Sequence, residues 1–62
     1  MERSATIRDI SVLVVDEERA FAESLALAIE FQAGFRSAGC ALTFPAATQR
    51  LREATVDVAL VT

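Results

Sequence analysis

The sequence predicts an α/β domain built on a three-stranded parallel sheet, in the order strand, helix, strand, helix, strand. Three observations carry this. The runs at residues 10–15 and 56–61 are rich in β-branched residues and almost continuously apolar, as expected of strands covered on both faces. Between the strand candidates lie two segments whose apolar residues recur at helical spacing. Strand–helix–strand units pair in parallel and nearly always cross over right-handed.

Residues 1–8 are polar and of mixed charge and read as a lead-in to a domain spanning 9–62. Ile10, Ser11, Val12, Leu13, Val14 and Val15 form the first strand, which Asp16 ends. Asp16, Glu17, Glu18 and Arg19 open the first helix, where acids sit well against the positive end of the helix dipole. Phe21, Leu25, Ala28, Ile29 and Gln32, with Ser24 beside them, give the helix one buried stripe of about four turns. Gly34 is suited to stop it.

Residues 35–41 are a second strand of small residues, including Ser37, Ala38, Gly39 and Cys40. Thr43 can cap the second helix, and Pro45 fits its first turn. Ala47, Leu51 and Ala54 form its narrow buried stripe, while Gln49, Arg50, Arg52 and Glu53 face water. Val56, Asp57, Val58, Ala59, Leu60 and Val61 make the third strand, and Thr62 follows it.

The bulk composition narrows the function. A chain of 62 residues with one cysteine and no histidine can form neither an internal disulfide nor a Cys/His zinc site. A domain of this size buries only about 60% of its unfolded surface, yet 53% of its residues are apolar. That excess points to a partner or to a longer parent chain. The net charge of −3 argues against a module that tracks nucleic-acid phosphates. No apolar run reaches membrane-spanning length, and no basic region followed by an apolar run marks a signal peptide. A cytoplasmic protein is expected.

Three stretches carry a family resemblance. ISVLVVDEERAFAESLALAIE at 10–30, GFRSAGCALTFPAATQRL at 34–51 and DVALV at 57–61 are similar, in order and spacing, to the opening of response-regulator receiver domains of the LuxR/NarL type. The resemblance covers nearly all of the chain after Arg8. It implies that these residues are the N-terminal half of a five-stranded, flavodoxin-like receiver fold. It also implies that Asp16 and Glu17 occupy the acid pair that holds Mg²⁺, and that Thr62 occupies the position of the phospho-accepting aspartate. The implied partners are another receiver domain or the protein's own output domain, and a sensor histidine kinase. A homo-oligomer is expected, with no nucleic-acid contact from these residues and no catalytic activity.

Two departures from the family pattern bear on the chemistry. Glu17 stands where a second aspartate is usual, which lengthens the arm by one methylene. Thr62 offers a neutral hydroxyl where the family needs a carboxylate, both as nucleophile and as metal ligand. The reading is therefore a degenerate receiver with a weak or vestigial Mg²⁺ site and an inactive acceptor position. On spacing alone a plainer account of the acids is favoured, in which Asp16 caps the helix while Glu17 and Glu18 complement its dipole.

Other residues have plain readings too. Cys40, flanked by Gly39 and Ala41, reads as apolar filler. Leu27 points away from the helix stripe and Phe31 lies toward its edge. Outward apolar residues can mark a partner surface, but the favoured reading is that another helix of a whole receiver covers part of this face. The bare third strand would be covered by the next strand of a longer parent, since natural proteins avoid exposed apolar edges. Two rival functions remain. The first is the start of a nucleotide- or cofactor-binding α/β enzyme. Against it, the turn Val15–Glu18 has no glycine for a phosphate loop, and its three acids would repel phosphate. The second is a module that self-associates by edge pairing.

Overall fold

The computed structural model describes residues 8–62; of the expected lead-in, all but Arg8 lies outside the described residues. Five elements follow in order: β1 (Ile10–Val15), α1 (Arg19–Glu30), β2 (Phe35–Ala41), α2 (Phe44–Glu53) and β3 (Val58–Val61). The fold is α/β. The three strands form one parallel sheet in the order β2-β1-β3.

β1 is central and carries the core. Residues 11–15 are all buried, and Leu13 and Val14 have no exposed surface, so each contributes about 2–3 kcal/mol of burial. Because successive strand residues point to opposite faces, the core divides in two. Leu13 and Val15 pack with Ala41 and with Ala47 of α2. Val14 packs with Ala22 and Ala26 of α1. The two helices thus lie on opposite faces of the sheet, as right-handed crossovers to opposite neighbours of β1 require.

Several boundaries and faces differ from the sequence expectation. α1 begins at Arg19, not at Asp16, because Glu18 is its N-cap and accepts a hydrogen bond from the Phe21 N–H at 3.1 Å. The helix ends at Glu30, and Gly34, at φ +87°, turns the chain into β2. Its buried stripe is Ala22, Leu25, Ala26 and Ile29, while Phe21 is half exposed and Ala28 and Gln32 are exposed. Alanines at the centre let the helix approach the sheet closely, and bulky Phe21 is left at the flank.

α2 is capped by Thr43, whose Oγ1 accepts from the Ala46 N–H at 3.1 Å, with Pro45 in the first turn. Only Ala47 of its expected stripe is buried; Leu51 and Ala54 are exposed. Arg50 is partly buried rather than solvated, and its Nη1 donates to the Ala38 carbonyl at 2.9 Å.

That carbonyl is available because β2 bulges. Val12 pairs with Ser37 but Val14 pairs with Cys40, so β2 holds one residue more than β1 over this stretch. Gly39 supplies the positive φ of +95°, and the Ser37 hydroxyl accepts from its N–H at 3.0 Å. β3 begins at Val58 instead of Val56. Asp57, just before it, is bonded to the Ser11 backbone instead.

Candidate functional site

The parallel sheet brings the carboxyl ends of its strands to one edge, the edge where open α/β sheets bind ligands. The backbone ladder runs one residue past β1 and β3 there. The Asp16 N–H donates to the Ala41 carbonyl at 3.0 Å, and the Thr62 N–H to the Val15 carbonyl at 3.1 Å. Asp16 and Thr62, remote in sequence, therefore stand side by side. They line a cleft of about 590 Å³ with Glu17, Thr43, Phe44 and Val61.

The three acids that follow β1 do three different things. Asp16 turns into the cleft, where Oδ2 accepts from the Thr62 hydroxyl and Oδ1 from the Glu18 N–H at 2.7 Å. Glu17 lines the cleft and is exposed. Glu18 turns away to cap α1. The expectation that Asp16 itself caps the helix is thus replaced: it holds the turn before the cap. The Thr62 hydroxyl, and after it the Glu18 N–H, hold the Asp16 carboxyl below its ordinary value of 3.8, with a small opposing contribution from desolvation.

Two chemical consequences follow. The Thr62 hydroxyl has a base beside it, but a carboxylate held below its ordinary pKa is a poor proton acceptor near neutral pH. The donor set also fits a resident Mg²⁺ badly. Thr62 supplies a neutral hydroxyl in place of a third carboxylate, and an ion would share the Asp16 oxygens with the Thr62 hydroxyl and the Glu18 N–H. Among the described residues no group of three or more Asp, Glu, Cys or His side chains is gathered for a metal.

The opposite edge of the sheet holds residues that sequence reasoning missed. Ser11, fully buried at the start of β1, donates its N–H to Asp57 Oδ2 at 2.8 Å and its hydroxyl to the Thr55 carbonyl at 2.9 Å. The Asp57 N–H returns a bond to the Ser11 carbonyl at 2.9 Å, and Arg8 pairs with Asp57 Oδ1 at 3.3 Å. The bond from the Ser11 N–H, opposed in part by desolvation and aided by Arg8 and Arg36, lowers the Asp57 pKa. One signal was available: Ser11 is the lone hydroxyl in an otherwise apolar strand. Cys40 packs against the α1 cluster beside Val14.

Among the described residues no helix is long and apolar enough to cross a membrane. No family model matches the chain, and neither a curated protein nor a solved structure is similar enough to match it.

Proposed function

We propose that the chain is a receiver-like regulatory module, the first part of a flavodoxin-like signalling domain, which acts through packing and not through phosphoryl transfer. The observation that carries this reading is the pairing of Asp16 with Thr62 at the carboxyl edge of a parallel sheet. In a receiver the first-strand acid and the acceptor after the third strand meet at this place. The order β2-β1-β3 also agrees with the opening of the flavodoxin-like order 2-1-3-4-5. The partners of such a module are a second receiver or its own output domain, under a sensor kinase in the cytoplasm of a two-component system. Any Mg²⁺ site at Asp16 and Glu17 is weak or vestigial, because Thr62 brings no third carboxylate.

The test uses the intact protein that carries these residues, incubated with Mg²⁺ and a small acyl-phosphate donor. The natural protein should gain no acyl phosphate, whereas Thr62→Asp should gain one that depends on Mg²⁺ and is labile to acid and base. Labelling of the natural protein would overturn the degenerate site. A folded Thr62→Asp variant that stays unlabelled would overturn the receiver reading itself.

A second reading, self-association, is favoured by one observation. All four residues of β3 are exposed, and no strand pairs with its outer edge among the described residues. A stable oligomeric mass in solution would support it, and a monomeric mass across concentrations would sink it.

A further inference from the structure

β2 pairs with β1 along one side. The other side of such a strand ordinarily offers a row of main-chain donors and acceptors on which a further strand can pair. Side-chain bulk would hinder pairing little, because residues 37–41 are Ser, Ala, Gly, Cys and Ala.

In β2 the chain itself engages these groups. The Phe35 N–H donates to the Gln32 carbonyl at 3.1 Å, within the turn from α1. Two residues on, the Ser37 N–H donates to Glu30 Oε1 at 2.9 Å, at the end of α1. Two further on, the Gly39 N–H donates to the Ser37 hydroxyl oxygen at 3.0 Å. The partners of all three lie outside β1. Between the last two, the Ala38 carbonyl accepts from Arg50 Nη1 at 2.9 Å. Glu30 belongs to α1 and Arg50 to α2, so the helices reach β2 from opposite faces of the sheet. The register also breaks here, between Val12 and Val14 of β1. Bulges and charged side chains are two devices by which sheet edges resist pairing.

We propose that β2 is a closed edge. Glu30, Ser37 and Arg50 seal its side away from β1, so no further strand, of the same protein or of a second copy, pairs there. An incoming strand would have to break the Glu30 bond, whose charged acceptor makes it stronger than the neutral bond offered in exchange. The closure rests on bonds made within the chain and does not depend on the receiver reading.

Amide hydrogen exchange and solution mass, measured on the intact protein that carries these residues, test it. In the natural protein the Ser37 amide should exchange at least roughly tenfold more slowly than an unstructured amide. Glu30→Ala should accelerate it roughly tenfold, while the Asp16 amide, bonded to Ala41, stays unchanged. Glu30→Gln, which keeps an acceptor oxygen, should recover most of the protection. Glu30→Ala combined with Ser37→Ala frees two donors. That double variant should self-associate at concentrations where the natural mass is constant, and the amide at position 37 should regain protection as it does. A Ser37 amide that exchanges freely in the natural protein would overturn the closed edge, and that measurement needs no variant to fold. A folded double variant that keeps the natural mass at every concentration would overturn it equally.

Discussion

Gly39 lies beneath the guanidinium of Arg50: a methyl group on its Cα would stand 2.7 Å from Nη1. Its backbone, at φ +95°, is also one that side-chain-bearing residues rarely adopt. Gly39→Ala should therefore destabilise the fold by about 1–3 kcal/mol, read as a shift in the denaturant midpoint. In an Arg50→Ala background the steric part vanishes and the backbone part remains, so the two changes should be non-additive. Strict additivity would mean that Arg50 does not touch the bulge.

Among the described residues Ser11 is the one buried polar residue. Replacing it with alanine removes the donor to the Thr55 carbonyl and leaves that acceptor without its partner. A loss of about 1–2 kcal/mol is expected, again in chemical denaturation. A variant as stable as the natural sequence would show that water satisfies Thr55 equally well.

Leu13→Ala should cost about 2–5 kcal/mol, because the site is wholly buried and a cavity remains where the side chain was. Whole domains are stable by only about 5–15 kcal/mol, so a chain this small should lose cooperative unfolding. Calorimetry that still shows a sharp transition near the natural midpoint would contradict the assigned core.

Asp16 and Asp57 both have carboxyl groups lowered from the ordinary 3.8. A carboxyl depressed in the folded state stabilises that state above the unfolded value. The contribution is lost as pH falls through the lower folded value. Stability should thus hold above 3.8 and decline below it, and Asp57→Asn should decline less steeply. Identical pH slopes for the two proteins would separate Asp57 from acid unfolding.

Thr43 begins α2 by accepting the Ala46 N–H. Thr43→Ala should cost about 1 kcal/mol, and Thr43→Ser much less. Circular dichroism through a urea titration reads both.

The strands and their common direction were legible because a buried parallel strand leaves an unmistakable apolar run, as Ile10–Val15 does. The meeting of Asp16 with Thr62 was legible as well, once each was placed just after a parallel strand. Helix faces were less so. Phe21 drew the stripe toward itself, whereas the sheet accepts the smaller Ala22 and Ala26 at closest approach. Likewise Arg50 reads as a surface charge until the bulge at Gly39 offers it a carbonyl, and no periodicity announces a bulge. Ser11 and Asp57 are 46 residues apart, and their bond depends on a register that spacing alone does not encode. The cap of α1 shifted to Glu18 for a local reason, since Asp16 was already engaged at the turn.

The position of β1 between its neighbours has a consequence for how the chain is made. Of the three described strands it is made first and completed last, because its second flank waits for residues 58–61. Through that interval the sequence Val-Leu-Val-Val offers a half-paired, aggregation-prone ribbon. Its early partner is β2, which closes the nearer loop at lower entropic cost.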